Sequence, residues 1–202
     1  MRAVPAEAAA EIIAAGARMD ARGWVPATAG NISVRLDQAA IAITASGGHK
    51  GFLAPAQVMC VDLQGQPLSA GKPSAETLLH CQIYRLFPQV GAVLHGHSVA
   101  GTVLSLGTTA AEIRFEGYEL LKAFEGQSTH QAALGLPLVE NDQDIARLAA
   151  RMEPRLGNAP LGYLIRGHGV YVWGADMAQA LARLEGLEFL LSCELERRKL
   201  AR

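Results

Sequence analysis

The segment AVLHGHSVAG sets His95 and His97 one residue apart at the end of an apolar run. On a strand, residues two apart point to the same face, with Cβ atoms on the order of 7 Å apart. Two imidazoles leaning together from such positions reach one ion at about 2.0–2.1 Å each, the zinc–nitrogen distance. On a helix the same pair would diverge by roughly 200° and could share nothing. Val90–His95 is therefore expected to be a buried strand that aims both rings at one point. His168, in LIRGHGVYVWG, ends a second apolar run between Gly167 and Gly169. Three histidines leave one position of a tetrahedral site open, as a catalytic ion requires and a structural one does not. The plain alternative has these rings bonding to nearby backbone. The glycines beside them, which permit close approach, weigh against it.

The rest of the chain reads as helices alternating with short extended segments. The opening stretch, MRAVPAEAAAEIIAAGARMDARG, carries Glu7 and Glu11 inside its apolar run. It is expected to be an amphipathic helix from Pro5 to about Asp20–Gly23, not a targeting peptide. Asn31–Leu36, Ala40–Thr44 and Gln57–Leu63 are extended and separated by Asp-, Gly- and Pro-bearing turns, which suits antiparallel neighbours. Ser74–Phe87 places Leu78, Leu79, Ile83, Tyr84 and Leu86 at helical spacing. A short helix over Ser98–Leu106, a region of mixed character to Leu138 and a small helix near Gln143–Met152 follow. Paired strands at Gly162–Arg166 and Val170–Trp173 precede a last helix from about Asp176 to Lys199. The pattern predicts an α/β protein with three α/β/α layers around a mostly antiparallel sheet, in one domain over residues 1–202.

Charge and cysteine usage narrow the partners. Lys and Arg number 18 against 19 Asp and Glu, a net charge of −1, and the basic residues are scattered until an RRK run near the C-terminus. Neither a nucleic-acid surface nor a membrane surface follows from this, and no apolar stretch approaches the ~18 residues that span a bilayer. Cys60, Cys81 and Cys193 have no paired spacing and lie in apolar surroundings. They read as free thiols, hence a reducing, cytoplasmic setting.

Three further segments carry polar groups. In KPSAET, Lys72–Thr77, a Pro-Ser pair opens a helix whose N–H groups can hold an anion, and Glu76 falls in its first turn. Such a glutamate commonly just complements the helix dipole; beside a metal it can be a ligand or move a proton. His80, one turn on, reads as structural. The loops TAGNIS and TASGGHKG supply backbone N–H groups, hydroxyls and Lys50. With the Ser74 helix start they would form a phosphate site from several short anion-binding elements. Neither nucleotide-binding fingerprint is present.

GNIS, TASGG, KPSAET, HGHS and RGHG, in this order across most of the chain, resemble the class II aldolase and epimerase family, which includes the adducin head domain. Within it, KPSAETLLH, GYELLKAF, PLVENDQDIARLA and RGHGVYVWG are closer to the dehydratases of methylthiopentulose phosphate than to the aldolases. The resemblance implies a zinc-dependent lyase acting on a small sugar phosphate, with zinc on His95, His97 and His168. It implies Asn31, Ser46, Gly47 and Ser74 around the phosphate, with Lys50 added. It implies a homo-oligomer, most simply a tetramer, with the site near a subunit boundary. The aldolase motif has a second serine where this chain has Ala75, which weakens an aldolase or 4-epimerase reading. Intact histidines argue against a non-catalytic, adducin-like module. Glu76 falls on the aldolase catalytic glutamate. Glu119 matches the acid/base of the animal dehydratases, which have cysteine at the position of Glu76. Phe115, Tyr118 and Phe124 are candidates to face the methylthio group, with core packing as their plainer role.

Overall fold

A computed structural model describes residues 1–157 and 159–201. Eight strands are formed: β1 (Asn31–Arg35), β2 (Ala40–Thr44), β3 (Val58–Asp62), β4 (Ala92–Gly96), β5 (Glu112–Glu116), β6 (Ala133–Val139), β7 (Tyr163–Ile165) and β8 (Val170–Gly174). They make one sheet in the order β3-β2-β1-β4-β8-β7-β6-β5. Every neighbouring pair is antiparallel except β6 and β7. All five residues of β2, β4 and β8 are buried, because helices cover both faces of the sheet.

On one face lie α1 (Ala6–Ala21), α3 (Val99–Leu106) and α5 (Met177–Leu200). Ile12, Ala15 and Met19 of α1 and Leu184, Leu187 and Leu191 of α5 recur every three or four residues and pack on Ile32, Leu94 and Val172. The other face carries α2 (Thr77–Leu86) and α4 (Ile145–Leu156). There Leu79, Ile83, Leu148 and Met152 meet Ile43, Val93 and Ile165. The three-layer α/β/α reading is borne out. Among the described residues no helix is long and apolar enough to cross a membrane.

Two elements depart from the sequence reading. The stretch to Leu138, read as mixed, holds β5, a 3-10 turn at Glu119–Ala123, and β6. The helix expected from Ser74 begins at Thr77, so Glu76 is its N-cap residue and not part of its first turn. Residues 74–77 close a tight turn instead, with the Thr77 N–H donating to Ser74 O at 3.1 Å. That turn carries Ser74 and Glu76 out over the end of the sheet where β1 and β8 begin and β4 ends.

Candidate metal centre and phosphate pocket

His95 is the penultimate residue of β4, paired across to Asn31 of β1 and Tyr171 of β8. His97 lies just past the strand, held by its N–H donating to Trp24 O at 2.6 Å. His168 sits in the tight β7–β8 turn, where its N–H donates to Ile165 O at 3.1 Å. Glu76 arrives from the start of α2. One ligand atom from each of Glu76, His95, His97 and His168 lies within 4.8 Å of all the others. The Nε2 atoms of His95 and His97 are 2.9 Å apart, and Glu76 Oε1 is 2.8 Å from His168 Nε2 and 3.4 Å from His95 Nε2. Ligands on a tetrahedral ion with bonds of about 2.0–2.1 Å stand about 3.3 Å apart, so this spacing fits a small cation.

The donor set fits as well. His95 Nδ1 lies 2.9 Å from Val170 O, and a carbonyl only accepts. Nδ1 therefore holds the ring proton, leaving the Nε2 lone pair aimed at the centre, the orientation that second-sphere carbonyls impose on metal-binding imidazoles. Burial, with repulsion from His95 or His168 whenever either is protonated, pushes the His97 pKa down to about 3, so this ring too is a neutral donor. Burial alone would raise the Glu76 carboxyl, but the neighbouring rings of His168 and His95, whenever protonated, hold it well below the usual carboxylate range. Close approach makes the cluster possible: a Cβ on Gly169 would stand 2.3 Å from Gly96 O and 2.9 Å from His95 Cε1.

Beside the cluster opens a small cavity of about 210 Å³, lined by Asn31, Ser46, Gly47, Lys50 and Ser74, with Glu76 and His97 at one end. Gly47 adopts φ +86°, which an L side chain rarely does, so the loop turns its backbone toward the opening. Lys50 is buried, and its ammonium donates to Thr28 O and Gly48 O at 2.7 Å each. Burial lowers its pKa and the Glu76 charge partly restores it. With two protons spent on carbonyls, the ammonium ties the two loops together and keeps one donor for an anion.

The structure therefore brings together nine of the ten site residues read from the sequence; it leaves Glu119 apart. Glu119 lies on the exposed 3-10 turn, its side chain 71% accessible and paired with Lys122 Nζ at 2.5 Å. It faces a separate cavity of about 1210 Å³ with Tyr118, Trp24 and Phe189. Phe115 and Phe124 go to the core, and Tyr118 is half-buried at that second cavity. Sequence reasoning missed the Val170 carbonyl, which no side chain announces. It also missed Tyr171, whose ring stacks on His95 at 4.1 Å. The signal for Tyr171 was present in the β4–β8 register, which pairs the two residues.

Residues 10–195 match the family model described as the class II aldolase and adducin N-terminal domain. The chain belongs to this family. Among its curated relatives, the methylthioribulose-1-phosphate dehydratase of Granulibacter bethesdensis is 67% identical over 99% of this chain and 96% of its own length. The enzyme of the same name from Gluconacetobacter diazotrophicus is 63% identical over 98% of this chain and 97% of its own. Among solved structures, L-fuculose-1-phosphate aldolase from Thermus thermophilus superposes with a TM-score of 0.78 over 97% of both chains. At 24% identity that likeness is one of fold.

Proposed function

We propose that this protein is a zinc-dependent hydro-lyase of methionine salvage that converts 5-methylthioribulose 1-phosphate to 2,3-diketo-5-methylthiopentyl 1-phosphate. The observation that carries this is the 67% identity, over nearly the whole chain, to a relative named for that reaction. The adjacency of a cation-fitting cluster and a cationic anion pocket supports it. The substrate phosphate occupies the cavity of Asn31, Ser46, Gly47, Lys50 and Ser74, which points its carbonyl end at His95, His97 and His168. Zinc held there by the histidines supplies Lewis acidity that makes the C3 proton easier to remove. A carboxylate takes that proton, the C4 hydroxyl accepts a proton from a general acid and departs as water, and the resulting enol relaxes to the diketone.

Two carboxylates share the assignment. Glu76 stands in a ligand's place, 2.8 Å from His168 Nε2. Glu119, exposed and apart from its own chain's cluster, serves as acid/base in the site of a neighbouring copy within a homotetramer. Three free cysteines, two of them buried, support a cytoplasmic location.

Mass-spectrometric analysis of the product from zinc-loaded protein tests the reaction. Loss of one water without triose phosphate is expected. Triose phosphate would make the protein an aldolase, and unchanged substrate would withdraw the assignment. Mixing Glu119→Gln and His97→Ala subunits tests the shared site: hybrid oligomers should recover activity that neither parent has. No recovery sinks the assignment of Glu119 across copies.

A further inference from the structure

Directly behind the histidine cluster, between the sheet and α2, four buried polar atoms have no hydrogen-bond partner: His80 Nε2, Tyr171 Oη, Tyr163 Oη and Thr77 Oγ1. Their residues are at most 2% exposed. Three of the four side chains are in ring contact. Tyr163 and Tyr171 face each other across β7 and β8, with rings stacked at 4.8 Å and 6°. The His80 ring meets Tyr171 edge-on at 5.6 Å. Thr77 and His80 are three residues apart on α2 and so share its sheet-facing side. The charge of Glu76 reaches His80, Tyr163 and Tyr171 alike.

Leaving a buried donor or acceptor unmade is costly, and folded proteins rarely accumulate several in one place. Direct pairing with Ser33 does not resolve this. Its hydroxyl is already shared by His80 Nδ1 at 2.7 Å and the Tyr84 hydroxyl at 3.0 Å. Whichever way the Ser33 hydroxyl points, His80 Nε2 is left over. Three hydroxyls and an imidazole nitrogen are the partners that a buried water uses, since each such water needs two to four.

We propose that His80, Thr77, Tyr163 and Tyr171 enclose a small cluster of ordered water, and that this cluster makes Tyr171 a positioning residue for His95. The water fixes the Tyr171 hydroxyl. The Tyr171 ring, sandwiched between Tyr163 and His95, then holds the His95 plane that the Val170 carbonyl orients at Nδ1. A tyrosine free to slide would let that imidazole tilt away from the ion. The water part stands on its own, and the positioning part rests on the metal reading above.

A high-resolution crystal structure of the zinc-loaded protein tests the first part without any substitution. Water within about 2.7–3.2 Å of at least two of the four atoms is expected. A dry pocket, or the four atoms bonded directly to one another, overturns it. Tyr171→Phe tests the second part, because it keeps the stacked ring and removes only the hydroxyl. Zinc binding, measured by competition with a chromophoric chelator, should weaken about tenfold, the low end of what lost support costs a metal site. Tyr163→Phe, one ring further out, should weaken zinc binding less and serves if the first variant fails to fold. Parental zinc affinity in whichever variant folds removes Tyr171 from the positioning role. A wild-type chain that binds no zinc would instead overturn the metal reading and leave the water result untouched.

Discussion

Replacing Gly169 by alanine would strain the histidine cluster from behind while leaving every ligand in the chain. The added methyl would lie 2.3 Å from the Gly96 carbonyl oxygen and 2.9 Å from His95 Cε1. Carbon contacts relax at about 3.5–4.0 Å, so the β7–β8 turn and β4 must part by about 1 Å. Neither can give cheaply, because Gly96 pairs with Val170 and the Ile165 N–H is held by Gly169 O at 2.9 Å. Overpacking of this kind costs about 1–3 kcal/mol. For a chain of this size that lowers the melting temperature by about 3–10 °C. The larger effect falls on the ion. Cε1 lies between the nitrogen bonded to Val170 O and the one facing the centre, and sites of this kind tolerate displacements of only about 0.5 Å. Zinc affinity is expected to fall about 10- to 100-fold. Calorimetric titration with zinc and thermal melts of the metal-free protein separate the two effects. Gly157→Ala is the control: the added Cβ meets nothing within 4 Å. Parental zinc affinity in Gly169→Ala would refute the view that this glycine sets the position of His95.

Other replacements probe other parts. Lys50→Met leaves Thr28 O and Gly48 O without their shared ammonium and takes the charge from the cavity proposed for phosphate. KM should rise about 10- to 100-fold with zinc content unchanged, the worth of one charged hydrogen bond, and an unaltered KM would exclude Lys50 from phosphate binding. His97→Ala should lose zinc and turnover together, read by elemental analysis of the purified protein. Burial pushes the Glu188 carboxyl up to about 7, and neither of its oxygens has a partner within hydrogen-bonding geometry. Between about pH 4.5 and 7 the folded chain keeps a proton that the unfolded chain releases, so stability falls as pH rises through that window. At about 1.4 kcal/mol per pK unit the loss over the whole window is about 3.5 kcal/mol, and Glu188→Gln should abolish it. Denaturant midpoints of both proteins at pH 5 and pH 8 decide this; equal slopes would contradict it.

Much of this was legible because the determining patterns are local. His95 and His97 advertise a strand by their spacing, and β2, β4 and β8 are continuous apolar runs. α1 and α5 show their buried stripes at three- and four-residue intervals. β5 and β6 escaped for physical reasons. EIRFE does alternate, but three of its five residues are exposed and charged at the sheet edge. β6 contains Gly135 and Pro137, which argue against a strand. Pro137 is tolerated because β6 changes partners there, leaving β5 after Pro137 and joining β7 from Leu138. The residues proposed to hold phosphate were readable as loop chemistry, yet their convergence depends on the Lys50 bonds and on the turn before α2. Glu119 shows the limit. A motif names the residue, but no pattern within one chain says whose site it faces.

The order of the sheet gives the ion a second meaning. Strands β1 to β4 form one half of it and β5 to β8 the other, and the halves meet in the sheet only where β4 pairs with β8. His95, His97 and Glu76 belong to the first half and His168 to the second, so a bound cation would be a staple across the seam. A chain severed in the exposed link at residues 107–111 would yield two pieces, each holding an incomplete ligand set. Metal would then strengthen their reassembly, and chelation would loosen the molecule along this one line.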